Sequence, residues 1–441
     1  MASARRKLEA QRLGLAALGA LVGGLAGGFV VVGVTLLLKS GVDLVAARGL
    51  WFIVLVPVLG LAAATLVLHG VGRATGPGGA AERARPWRAF HPEAIRADIS
   101  SEVVETAGAE DRFAWRLAPI RAVAILCTVG SGAAMGTEAP AAYLGVATGA
   151  GLTDRGQGWR RLLRPAALAG GAAGVGALMG IALVGTAFML ELGRRQRAPL
   201  SAERVLAALI GGVIGWGIDA TFGLSLITLV VPHEAPATLI QAAITAVFVG
   251  AASGAISSAA GLAVYAAKKW RASPAVRVAL GGAATVAIAL AVATLAGPAA
   301  AAGPGSGAIR WAESVDARPA ALLAVCLLRA AATTAAMAAG GCGGVFVPFL
   351  CAGDLAGRVF APGLGVGSDL AGAAGAAGGI AGGYHLPITA AFMVLGVGGP
   401  PRAMLTCMAA IVTAAAAGAA VQTFVERLHA AVSRERRAAA R

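Results

Sequence analysis

Two pentapeptides hold the residues best placed for chemistry: Gly136-Thr137-Glu138-Ala139-Pro140 and Gly344-Val345-Phe346-Val347-Pro348. Each opens on glycine, closes on proline and interrupts sequence that is apolar over long stretches. A helix broken at membrane depth is tolerated only where its backbone lines a cavity or is buried in protein. The first N–H groups of the helix that restarts have no internal partner, and the macrodipole places positive partial charge there. Such an end binds an anion without a full positive charge. That suits conduction, because a buried lysine would hold the ion too tightly to release it quickly. One break in each half of a chain is the pattern of inverted-repeat transporters, whose half-helix N-termini meet at a midplane site. Glu138 is the lone carboxylate between membrane-depth runs, a position that is costly and functional by default. The plainer reading is an interfacial glutamate in a loop.

The elements that must position these motifs are membrane helices. Of 441 residues, 58% are hydrophobic and 13% charged, and the mean hydropathy is +0.79; a soluble domain carries about twice that charge. Segments 13–38, 50–72, 165–190, 235–267 and 278–309 contain no Asp, Glu, Lys or Arg. Each is long enough to span roughly 30 Å of hydrocarbon at about 1.5 Å per helical residue. An outer-membrane barrel would alternate apolar and polar residues between aromatic girdles, whereas aromatics are 5% here and no alternation occurs. The 64 glycines let helices approach through small-residue faces. The expected fold is therefore an all-α integral membrane bundle of short tilted helices. It comprises one domain over 13–424, in two inverted-topology halves of about 13–233 and 235–424.

The formal charge of +15 does not point to nucleic acid, because the basic residues cluster at chain ends and in short loops without interleaved aromatics. The positive-inside rule accounts for them: Arg5, Arg6, Lys7 and Arg12 precede the first span, and Arg434, Arg436, Arg437 and Arg441 follow the last. Basic tails at 1–12 and 425–441 are expected on the cytoplasmic side of a bacterial plasma membrane, with no regulatory domain after Phe424. The first apolar run is too long for a signal peptide. The polar stretch 73–116 predicts an amphipathic surface helix over about 86–113, a plain loop being the alternative. Cys127, Cys326, Cys342, Cys351 and Cys407 lack metal-ligand spacing and read as reduced thiols in apolar segments. His385, Asp219 and Asp354 read as helix-end or loop polar groups.

On these motifs the chain resembles the CLC family of anion channels and proton-coupled anion exchangers. The family's third signature, G-x-F-x-P, is intact at Gly344 to Pro348; its second, G-(K/R)-E-G-P, keeps Gly136, Glu138 and Pro140, with Thr137 in the basic position and Ala139 for glycine. Residues 117–140 resemble the segment leading into that second signature without a gap, Arg121 replacing a lysine. Residues 168–191 and 381–395, including Leu386-Pro387-Ile388-Thr389, resemble later family segments. The candidate for the first signature, G-S-G-I-P, is Gly76-Pro77-Gly78, in which Pro77 replaces the serine.

The resemblance implies a homodimer with one pore per subunit; separately, nothing in the sequence resembles a phosphate loop or a catalytic triad, so no cofactor, metal or enzymatic activity is expected. The resemblance makes Glu138 the gating carboxylate. It also places the anion against Gly76, Pro77, Gly78, Gly136, Thr137, Gly344, Val345 and Phe346, with the Val345 and Phe346 N–H groups at the central position. Chloride, nitrate and bromide are the implied partners, besides the lipid bilayer. Two family features are missing. No tyrosine follows Phe424, and the exchangers' proton-relay glutamate falls on Leu192, beside Glu191. Glu191 is the remaining proton-pathway candidate, its other reading being a helix-end cap near Arg194 and Arg195. The expectation is passive anion conduction gated by Glu138; the alternatives are proton-coupled antiport and a membrane scaffold that transports nothing.

Overall fold

A computed structural model describes residues 2–74, 113, 115–154, 158–159, 163, 165–195, 198–224, 238–397 and 404–439. The apolar runs fold as helices because backbone groups in hydrocarbon find partners only within their own segment or a closed barrel. Sixteen α-helices form among the described residues. The first seven are α1 (Ala2–Ala47), α2 (Leu50–Ala74), α3 (Ala118–Val129), α4 (Glu138–Thr153), α5 (Ala166–Met179), α6 (Ala182–Arg195) and α7 (Ala202–Phe222). The next five are α8 (Leu239–Lys269), α9 (Pro274–Ala296), α10 (Pro298–Ala301), α11 (Ser306–Ser314) and α12 (Pro319–Ala338). The last four are α13 (Phe346–Leu364), α14 (Ser368–Tyr384), α15 (Pro387–Val397) and α16 (Met404–Ala439). Seven of the described helices are long and apolar enough to cross a membrane.

Packing repeats along the chain. In the first half α5 lies against α1, α4, α6 and α7, and in the second α14 lies against α8, α13, α15 and α16. The halves meet where α6 touches α15 and where α2 touches α9. Close helix contact in lipid depends on small residues, and the same device recurs in both halves. A Cβ on Gly145 of α4 or Gly170 of α5 would run into the other's carbonyl, and Gly353 of α13 and Gly375 of α14 stand in the same relation. The large apolar side chains left outside, such as Trp51, Leu59, Leu66, Ile240 and Ile244, are exposed; in a bilayer they contact lipid. The interior is filled mainly by alanine, glycine and a few larger groups such as Leu61, Tyr143, Phe188 and Phe346.

With 46 residues, α1 reaches about 69 Å, more than twice the hydrocarbon thickness of about 30 Å. The basic stretch expected as an N-terminal tail is the start of this helix, and α16 likewise continues to Ala439. The surface helix expected over 86–113 lies outside the described residues apart from Phe113, which is buried and packs on Tyr143 at 5.2 Å.

Helix starts differ in a way that prepares the site. Helices α7, α8 and α9 are capped by Ser201, Thr238 and Ser273, whose side-chain oxygens accept from the N–H groups of Arg204, Gln241 and Val276 at 3.3 Å. Such caps satisfy one of the orphan donors. Helices α4 and α13 begin at Thr137 and Val345 with no side-chain cap, as do α3, α5, α10, α11, α12 and α14 at their own starts.

Candidate functional site

The two pentapeptides, far apart in sequence, meet face to face. Gly136 N–H donates to Gly344 O at 2.7 Å and Gly344 N–H donates to Gly136 O at 2.7 Å, a single antiparallel bridge. Both positions are tight for a side chain: a Cβ on Gly136 would displace the Glu138 carboxylate and lie 3.3 Å from Pro348 Cδ, and one on Gly344 would lie 3.2 Å from Ala139 N and Gly136 O. Immediately beyond the bridge the chain turns into α4 on one side and α13 on the other. Their positive ends are thereby held together.

Each helix start exposes the same set of donors. Thr137 and Val345 are the flanking residues, and their carbonyls accept the first helical bonds from Ala141 N–H (2.9 Å) and Phe349 N–H (3.1 Å). Pro140 and Pro348 fall in the first turn, where proline is tolerated because no intrahelical N–H bond is lost. The N–H groups of Glu138, Ala139, Phe346 and Val347 have no partner within their own helices. These are main-chain donors, fixed in place by the bridge behind them.

Glu138 occupies this focus. It is 1% exposed, and its carboxyl group lies against the backbone N–H groups of its own residue, Val347 and Thr137. Thr137 Oγ1 does not cap α4 but donates to Glu138 Oε1 at 3.3 Å. Glu138 Oε2 completes no hydrogen bond among the described residues. A buried, incompletely bonded carboxylate is costly. Beside it the Phe346 ring packs edge-on against Phe188 (6.0 Å) and Tyr384 (5.5 Å), forming an aromatic wall.

Of the sequence-predicted residues, Gly136, Thr137, Glu138, Gly344, Val345 and Phe346 are brought together at this one place. Gly76, Pro77 and Gly78 lie outside the described residues. Glu191 stands elsewhere, at the start of α15. Its Oε1 accepts from Ile388 N–H (2.9 Å), and its Oε2 accepts from Thr389 N–H (2.7 Å) and Thr389 Oγ1 (2.5 Å). It therefore caps a helix, while Leu192 beside it is buried. Asp219 behaves as a helix-end group, accepting from Leu224 N–H at 2.7 Å, and His385 closes α14 in a left-handed conformation with φ 61°.

Asp354 corrects the expectation made for it. It is buried inside α13 and ion-paired to Arg358 at 3.0 Å; Arg358 also reaches Asp369 (3.0 Å) and Glu313 (3.7 Å). Sequence reasoning missed Val347 as a donor and passed over Arg329, a single arginine inside the apolar run of α12. The described residues contain no metal-binding cluster, and all five cysteines are free, Cys127 half-buried and the others buried.

Residues 86–419 match the family model described as voltage gated chloride channel. No curated protein matches the sequence. Among solved structures the chain is similar to the crystal structure of a CLC-type fluoride/proton antiporter, with a TM-score of 0.69 and 19% identity over 93% of this chain and 98% of that one. A slow cyanobacterial Cl−/H+ antiporter gives a TM-score of 0.63 and 19% identity over 94% and 98% of the two chains. A eukaryotic CLC transporter gives 0.65 and 16% over 94% and 72%.

Proposed function

Because this chain belongs to the voltage-gated chloride channel (CLC) family, a family of anion transporters and not of enzymes, we propose that it passes small inorganic anions of the chloride or nitrate class across the membrane by a path gated at Glu138. The observation that carries this reading is the position of the Glu138 carboxylate against N–H groups from both helix ends, α4 and α13. An ionised carboxylate there fills the place an anion would take. Protonation or displacement vacates it, and the free N–H groups then face the permeating ion. The N–H groups of Val345 and Phe346 hold the next ion, with Gly136 and Gly344 keeping the two ends in register. Main-chain donors in a low-dielectric site bind firmly yet carry no full charge, which allows release.

Passive conduction is the favoured form. Strict exchange needs a proton route to Glu138 through a region without bulk water, and Leu192 cannot relay protons. Glu191 has both oxygens engaged at the start of α15, which favours a capping role over a relay. The second reading, proton-coupled antiport, is favoured by the chain's likeness to two structures described as antiporters. The basic residues at both chain ends support cytoplasmic termini, and family membership supports a homodimer as the working unit.

Reconstitution with separate anion-efflux and proton-flux readouts tests both forms. Anion efflux without sustained proton movement is the expected result. Uphill proton pumping driven by an anion gradient, and abolished by Glu138→Gln, would replace the channel reading with exchange. Absence of flux for chloride, nitrate, bromide and fluoride in both wild type and Glu138→Gln would remove transport altogether.

A further inference from the structure

Arg329 lies inside α12, in an apolar span, and is 3% exposed. A guanidinium at that depth needs acceptors for its five N–H donors and something to offset its charge. Nη1 donates to Ala301 O at 2.7 Å and Nη2 to Gly303 O. The Cys351 thiol lies beside the group and is itself bonded to Gly305 O at 3.5 Å. No carboxylate forms an ion pair with Arg329 among the described residues, and its Nε has no hydrogen-bond partner there. Arg358, equally buried, is surrounded by three carboxylates. Bracing Ala301 and Gly303 therefore engages two of the five N–H donors, and it leaves Nε without a partner and the charge without a carboxylate.

The same side chain lines a cavity of about 10 Å³, whose remaining wall is mainly apolar and includes Gly132, Ala133 and Ala134. Those three residues run directly into Gly136-Thr137-Glu138. Gly303, whose carbonyl Arg329 holds, donates its N–H to Gly132 O at 2.8 Å. Guanidinium, Gly303 and the loop before the gate are thus one bonded unit. A volume of about one probe sphere admits a single water-sized particle. Fluoride has about that size.

We propose that Arg329 holds a second small anion, of fluoride size, in this cavity, as a waiting position beside the path controlled by Glu138; the proposal rests on the transport reading above. The Nε donor and the uncompensated charge bind the ion. The small space disfavours polyatomic anions such as nitrate.

The full-length protein in detergent is titrated with sodium fluoride by calorimetry and fluorine NMR. Wild type and Glu138→Gln are expected to show a bound-fluoride signal that sodium nitrate does not displace. Arg329→Lys keeps a charge and can still reach the Ala301 and Gly303 carbonyls but lacks Nε, so its fluoride affinity at this position should fall about tenfold or more, the scale of one hydrogen bond to a charged group. An unaltered titration in a folded Arg329→Lys would overturn the assignment. So would a wild type with no bound-fluoride signal, which would mean a buried water only. If Arg329→Lys fails to fold, nitrate competition in wild type decides: displacement of the fluoride by nitrate assigns it to the Glu138 site and sinks the proposal. Intact anion flux with no fluoride held at Arg329 defeats this inference alone, whereas fluoride held there in a protein without flux defeats the transport reading.

Discussion

The starts of α4 and α13 share one backbone plan and differ in three side chains, Thr137, Glu138 and Ala139 against Val345, Phe346 and Val347, of which only Glu138 carries a charge. Both follow a glycine of the Gly136–Gly344 bridge, both lack a side-chain cap, and both carry proline in the first turn. The first helical position is Glu138 in one and Phe346 in the other. The first half therefore supplies donors together with a competitor for them, and the second supplies donors together with an aromatic wall. The two helix starts thus offer like donors, and the clearest difference between them is the Glu138 carboxylate.

Destroying the shared plan should have the largest effect. Gly136→Val introduces a Cβ where the Glu138 carboxylate and Pro348 already sit, and overpacking of this kind costs about 1–3 kcal/mol. Loss of anion flux with a lowered melting temperature is the expected outcome, and Gly344→Val should behave alike. Normal flux in either would mean that the bridge does not hold the helix ends in place.

Removing the difference comes next. Glu138→Gln keeps the shape and removes the charge, so the competitor for the N–H donors is weakened by about the 1.5–3 kcal/mol of a hydrogen bond to a charged group. Efflux from liposomes should rise about tenfold or more, since each 1.4 kcal/mol is a factor of ten. Unchanged efflux would make Glu138 a buried structural carboxylate.

This comparison also marks what could be read without coordinates. The two breaks, the charge-free spans and the lone carboxylate are local features, so the fold class and the two helix starts were visible as residue types and spacing, whereas Val345 and Phe346 were singled out by the family resemblance. The reciprocal bonding of Gly136 with Gly344 is long-range, and only its two halves could be foreseen. Glu191 was ambiguous because its partners, Ile388 and Thr389, belong to the other half of the chain. Asp354 was misjudged although its partner Arg358 lies one helical turn on, a spacing that signals an ion pair. Arg329 was passed over although a single arginine in an apolar run is itself a signal.

A third experiment concerns selectivity. If Pro77 stands where the family resemblance puts a serine hydroxyl, one donor to the anion is missing, and strongly hydrated chloride suffers more than nitrate. Nitrate should then permeate at least as well as chloride, and Pro77→Ser should shift the ratio toward chloride by up to about tenfold. A ratio that does not move would leave Pro77 as a loop proline.

The smallest effect tests the residues before the two helices, Thr137 and Val345. Thr137 Oγ1 donates to Glu138 Oε1 at 3.3 Å, a long bond, and Val345 has no counterpart to it. Thr137→Val makes the two starts alike in shape and deletes only the hydroxyl, so the helix should be retained. The ionised carboxylate then loses one of its partners while the main-chain donors stay, and the gate is held less firmly. Because a bond of this length is worth less than the roughly 1.5–3 kcal/mol of a well-formed one to a charged group, efflux should rise by only about two- to fivefold. In Glu138→Gln, where the bond no longer meets a charge, Thr137→Val should add almost nothing. The double-mutant comparison isolates the pair: additive effects would show that the hydroxyl acts on the anion itself, and the asymmetry between the two helix starts would then extend beyond the gate.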